Sequence, residues 1–302
     1  MREKLSLYGT GIAVLIIAVA VRLTVLLPQT TRAAVTESSA ATETEEATYP
    51  VMYYTPPTHK SALVSAQDAP LVQIVNRAEV PIDVAALLEQ PLRYRQSQGP
   101  KVLIVHTHAT EAYLGTDDYH STDPQQNVVR VGQELCDRLN ALGIETVHDT
   151  DLNDLDGYTG AYEHMAEGIA QYLQRYPSIE MVIDVHRDAV EDDSGAEIAL
   201  TGSIDGVSAA KLLLVMGTDA AGMEHPNWRD NLACAVQIQA LCEKNAPGIF
   251  RDMSLRSQRY NQHLTANSIL LEVGTAGNTL QEALVSIDYF AQQLALLLLQ
   301  TD

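Results

Sequence analysis

An α/β fold with a mostly parallel sheet and helices on both faces is predicted by two observations. Short apolar runs alternate along the chain with longer segments of helical period. Three of those runs end in groups fit for chemistry: His106-Thr107-His108, His186-Arg187-Asp188 and Glu272. Strands joined through helices lie parallel, and their carboxyl ends meet at one edge of the sheet, where open α/β folds place their sites. Taken in order, residues 71–75 (LVQIV) are an apolar entry run, and PIDVAALLEQPL reads as a short helix opened by Pro81. Gly99-Pro100 punctuates the chain before a strand at Val102–Val105. Val128, Val131, Leu135, Leu139 and Leu142 recur at helical spacing, so 127–142 is an amphipathic helix that Gly143 closes. A strand at 144–148, a helix at 158–176 stopped by Pro177 and a strand at 179–186 follow. Strands are predicted at 197–204, 211–217 and 268–273, with helices at 231–244 and 279–299.

The 302 residues divide into three parts. Residues 1–27 hold a short basic stub (Arg2, Lys4) and an apolar stretch from Leu5 to Leu27 interrupted by Arg22. About 20 apolar residues span a bilayer, so this is read as a single transmembrane anchor that leaves the rest extracytoplasmic. A cleaved signal peptide is the rival reading, with a poor cleavage site at Thr31–Ala34. Residues 28–70 are rich in Thr, Ala, Ser, Glu and Pro and are expected to form a flexible acidic linker. Residues 71–302 are then one catalytic α/β domain. A formal charge of −20 repels nucleic acid and anionic lipid alike. Cys136, Cys234 and Cys242 have no CxxC spacing and read as thiols buried on helices.

The segment KVLIVHTHATE (101–111) carries the strongest chemical signal. Its strand delivers His106 and His108 at the carboxyl end, and His108 with Glu111 forms an H-x-x-E pair. With His186, at the end of another strand, they make a His₂Glu donor set that leaves a coordination position for water, as hydrolytic zinc centres require. His106 stands as an alternative ligand or as a group supporting one. Glu272 lies in the apolar run SILLEV, where burial of a carboxylate is costly, and suits a general base. Arg187 is placed to steady a developing oxyanion or hold a substrate carboxylate, or else to pair with Glu272. The remaining histidines read as structural or surface residues, with His263 set apart because it precedes the Glu272 strand, and Asp149, Asp151, Asp154 and Asp156 lack EF-hand spacing.

HTHATEAY (106–113), IDVHRDA (183–189) and SILLEVGTAGNTLQEA (268–283) together resemble the signature blocks of the stage II sporulation protein P family. The resemblance extends in order across 71–302, including Arg259–Gln262. It implies an amidase-type zinc hydrolase with a Rossmann-like sheet, an N-acetylmuramoyl-L-alanine amidase acting on peptidoglycan with one Zn²⁺ per chain. The expected site is then His108, Glu111 and His186 on the metal, with Glu272 and Arg187 catalytic. Tyr260, Asn261, Gln262 and Asn278 are expected to touch substrate. The resemblance also implies a partner lytic transglycosylase and a septal membrane protein in a sporulating cell. Two departures stand out. The Asp-Pro-Gly-His opening of amidases is absent, which leaves both His106 and His108 open as ligands; the H-x-x-E spacing selects His108. Thr275–Asn278 replaces a Gly-His-Leu-Asn stretch. Competing readings are a zinc carboxypeptidase or endopeptidase acting only on the peptide stem, and a non-catalytic septal scaffold.

Overall fold

Uninterrupted apolar runs, buried on both faces, set the middle of the sheet. The computed structural model describes residues 63–300 except Gln96, Asp156, Tyr158 and Thr159. The predicted anchor and the linker as far as residue 62 lie outside the described residues. Residues 63–70, expected as the end of the linker, are packed instead. Val64 is buried, and Lys244 Nζ donates to the Leu63 carbonyl at 3.2 Å and pairs with Asp68.

Seven strands form the main sheet: β1 (Ile74–Asn76), β2 (Val102–Val105), β3 (Thr146–His148), β4 (Met181–Asp188), β7 (Leu212–Gly217), β8 (Met253–Arg256) and β9 (Ile269–Thr275). Their order is β1-β8-β7-β9-β4-β2-β3, and every neighbouring pair is parallel except β7–β9. The antiparallel seam has a topological cause. After β4 no helix carries the chain back across the sheet. It stays at the carboxyl edge in a separate hairpin, β5 (Thr201–Ile204) and β6 (Val207–Ala210), and enters β7 from that edge. The run 197–204 was expected as a strand of the main sheet; its last four residues belong to this hairpin. β8, with the short mixed sequence MSLR, carried no signal in the sequence.

The helices are α1 (Val84–Leu88), α2 (Val128–Ala141), α3 (Ala161–Arg175), α4 (Trp228–Asn245) and α5 (Leu280–Leu299). Asn127 caps α2 by accepting from the Val129 N–H, and Gly143 takes φ +89° just beyond its end. α2, α4 and α5 cover one face of the sheet, packing on Ile104, Ile183, Leu214 and Leu271. α5 is long and apolar enough to cross a membrane, yet 67% of its apolar window is buried in this core. On the other face α3 covers Leu103, Val105 and Val182. Helices therefore lie on both faces, but unequally. Leu213, Val215 and Leu270 form only a small separate cluster there, with Tyr260 at its side. Above them runs a groove of ≈ 730 Å³.

Candidate metal centre and active site

The groove begins where β2 and β4 end. Beyond Val105 the chain turns sharply, with the Thr107 N–H and hydroxyl both donating to Asp184, at 2.9 and 2.6 Å. A second tie holds the same turn, from the Thr110 hydroxyl to Asp154 at 2.6 Å. His108, between these ties, and Glu111, just after the second, face His186, the next residue on that face of β4 after Asp184. All three are buried, and one donor atom from each falls within 4.8 Å of the others. His108 Nδ1 lies 3.5 Å from Glu111 Oε1, and His186 Nδ1 lies 3.2 Å from Glu111 Oε2. The two imidazoles sit edge to face, with ring centroids 5.2 Å apart. Just after His186 the pairing of β4 with β9 shifts register, a local irregularity of the kind that re-aims side chains beside sites.

Asp184 was not assigned a role from the sequence, and it orients the site. Its Oδ1 lies 2.9 Å from His186 Nε2, so His186 presents Nδ1 toward Glu111 while its other nitrogen faces a carboxylate. Metal-binding histidines commonly have this support. The only sequence signal was the i, i+2 spacing of Asp184 and His186 on one strand face, which has a common structural explanation. The electrostatics also suit a cation. Burial alone would lower the His186 pKa, but Asp184 and Glu111 overcome it and raise the value well above the usual imidazole range. Burial would raise Glu111, yet His186, His108 and Arg187 hold it well below the usual carboxylate range. Two carboxylates thus concentrate positive charge at this point, and the donor set fits a small divalent ion.

Glu272 stands directly opposite His186 in the β4–β9 register. It lines the groove, and its Oε2 is enclosed with no hydrogen-bond partner among the described residues. Burial, with Glu111 and Asp188 nearby, outweighs the opposing effect of His186 and pushes Glu272 up to about 8. Arg187 is spent on backbone. Its Nε donates to the Ala112 carbonyl at 2.9 Å and its Nη2 to the Tyr119 carbonyl at 2.8 Å. Its own N–H reaches Glu111 Oε2 at 3.1 Å. Arg187 therefore fixes the loop that carries Glu111, and among the described residues it makes no ion pair with Glu272.

The other expected residues divide. His106 points to the opposite face of the sheet, in phase with Ile104. Its Nδ1 contacts the Val185 carbonyl and its Nε2 contacts His148 Nε2, both at 2.8 Å, so it is not gathered with the metal donors. Tyr260 lines the groove, 5.9 Å from Tyr162 by ring centroids, and Tyr162 in turn meets His108 edge-on. The Asn261 amide donates to the Tyr162 carbonyl at 2.7 Å and so supports that wall. Gln262 is buried and bridges Val215 and Gly217 of β7. Asn278 is buried in the turn after β9, accepting from Thr275 and Leu200. Both amides are engaged by the frame and not by the groove.

The sequence profile of the stage II sporulation protein P family (SpoIIP) matches residues 23–295. Stage II sporulation protein P of Bacillus subtilis strain 168 is 30% identical over 206 residues, which is 62% of this chain and 49% of that protein. The match thus spans about half the length of that relative. Among solved structures, N-acetylmuramoyl-L-alanine amidase AmiC2 of Nostoc punctiforme is 15% identical, covering 67% of this chain and 97% of its own, with a TM-score of 0.41. The CwlD amidase of Clostridioides difficile, solved with the GerS lipoprotein, is 12% identical, covering 67% and 98%, with a TM-score of 0.42. Both likenesses are remote.

Proposed function

The chain belongs to the stage II sporulation protein P family, and from that membership we propose that it is a cell-wall hydrolase of sporulation: a zinc-dependent N-acetylmuramoyl-L-alanine amidase. The observation that carries this reading is the buried His108–Glu111–His186 cluster near Glu272, whose Oε2 has no hydrogen-bond partner among the described residues, at the head of an open groove. A zinc ion held by the three donors supplies a Lewis acid that acidifies water and polarises a carbonyl. The chain's own residues do the rest. Glu272 takes the proton from the attacking water and delivers it to the leaving nitrogen, breaking the amide between the lactyl group of the glycan and L-alanine. Asp184 holds the His186 imidazole in one orientation, and Arg187 holds the loop of Glu111. In this reading the protein is anchored by its amino-terminal segment outside the cytoplasm and works beside a lytic transglycosylase and a septal membrane protein.

Glu272→Gln separates chemistry from binding. On purified sacculi it is expected to lower release of stem peptides by roughly 10²–10⁴-fold, the usual range for loss of a general base, while zinc stays stoichiometric. Undiminished release would remove Glu272 from the mechanism. Product analysis separates the competing hydrolases: amidase action exposes a new alanine amino terminus, whereas a carboxypeptidase frees a terminal amino acid. A protein that holds zinc and cuts nothing would point to the scaffold.

A further inference from the structure

We propose that Arg77 and Arg256 form a carboxylate subsite that binds the peptide stem of the substrate some distance from the scissile bond. This rests on the hydrolase reading above for the identity of the ligand. The register supplies the first argument. Asn76 of β1 pairs with Leu255 of β8, and the Arg77 N–H donates to the Leu255 carbonyl at 2.9 Å. One step further, Arg77 is the first residue of the turn after β1 and Arg256 the last residue of β8, so continuing the register sets them opposite each other, roughly 5 Å apart at the backbone. Both side chains line the groove. Among the described residues neither is within ion-pair distance of a carboxylate. Arg256 Nε donates to the neutral Ser254 hydroxyl at 2.7 Å, which aims the guanidinium without neutralising it. Two like charges in adjacent register repel, so this pairing lowers stability unless an anion sits between them.

The rest of the molecule sharpens the contrast. The chain carries a formal charge of −20, yet these cations cluster on one bare patch of sheet. The other groove arginine of β8's entry, Arg251, is already neutralised by Asp188 at 2.6 Å. From Glu272 the path to the pair crosses β7 and then β8 and β1, over Leu213, Val215 and Leu270 with Tyr260 alongside. Glu272 is opposite Leu213, and Arg256 is opposite Gly217, four residues further along β7. At about 4.8 Å per strand and about 3.3 Å per residue, Arg256 and Arg77 lie roughly 16 and 20 Å from Glu272. An extended peptide covers that in about five or six residues. The groove therefore offers an apolar floor and then a bidentate anion clamp, which suits a short peptide bearing a free carboxylate near its far end.

The test uses the full chain with zinc and two synthetic muramyl peptides, one with free carboxylates and one with those groups as carboxamides. Affinity is measured by titration calorimetry and hydrolysis by release of the peptide. The parent is expected to bind the free acid at least about tenfold more tightly than the carboxamide. Arg77→Gln with Arg256→Gln is expected to bring the acid down to the carboxamide's affinity, and Arg77→Lys with Arg256→Lys to restore much of the preference. Equal affinity of the parent for both peptides, or undiminished preference in the glutamine variant, would overturn the proposal. So would a glycerol-phosphate polymer that binds through the same arginines more tightly than the peptide. If neither peptide is cleaved, the hydrolase reading fails, while the affinities still decide the subsite.

Discussion

His186 shows how one side chain's neighbours define its task. Asp184 on Nε2 and Glu111 on Nδ1 leave the ring a single useful orientation. Asp184→Asn keeps the shape but weakens the charge that polarises the imidazole. Zinc affinity, measured by competition with a chromogenic chelator, is expected to drop roughly 10–100-fold, as is usual for such supporting groups. Glu272 gives a second prediction, for the metal-free protein. Its folded pKa of about 8 is above the ordinary carboxyl value of 4.5, so between those pH values the folded state holds a proton that the unfolded state has lost. Stability must then fall as pH rises through that window. Glu272→Gln removes this contribution, and its melting temperature is expected to decline less between pH 5 and 8 than the parent's. Some decline remains because His186 is also raised, and its stabilisation is likewise lost on going alkaline. Parallel pH profiles of the two proteins would exclude Glu272 as the source.

Helix α2 illustrates the demands of packing between elements. Its Gly132 lies on the imidazoles beneath it: a Cβ there would come within 2.4 Å of His106 Nε2 and 2.8 Å of His148 Nε2. Gly→Ala in a helix ordinarily stabilises, because alanine is the better helix former. Here the clash must separate α2 from β2 or break the His106–His148 contact, and the His106 ring is fully enclosed. Gly132→Ala is expected to cost about 1–3 kcal/mol in denaturant melts, the typical range for overpacking. A neutral or stabilising result would mean that the imidazoles can move aside. His106, which the sequence placed beside the metal, thus serves the contact between helix and sheet.

Across the whole domain, the candidate metal donors come from two strand ends, so an ion held by them would tie together segments about 75 residues apart in the chain. An ion bound only by the folded state stabilises it by mass action: at a hundredfold excess over the dissociation constant the gain is about 2.7 kcal/mol. Removal of metal by chelation should lower the melting temperature by several degrees, and zinc should restore it. Magnesium should not, because two imidazoles in the donor set suit zinc, whereas magnesium prefers an all-oxygen shell. An unchanged melting curve on chelation would speak against a resident ion.

Much of this was legible in the residues because it depends on local pattern. Apolar runs and helical spacing located most strands and helices, and H-x-x-E followed by a strand-end histidine named the three donors that the fold gathers. Other features depend on pairing between distant segments, which no local pattern encodes. The antiparallel seam arises because no helix follows β4. The open groove exists because α3 covers only part of its face. The phase of β2 turns His106 away while the following turn brings His108 in. The adjacency of Arg77 and Arg256, far apart in the chain, comes from strand register alone.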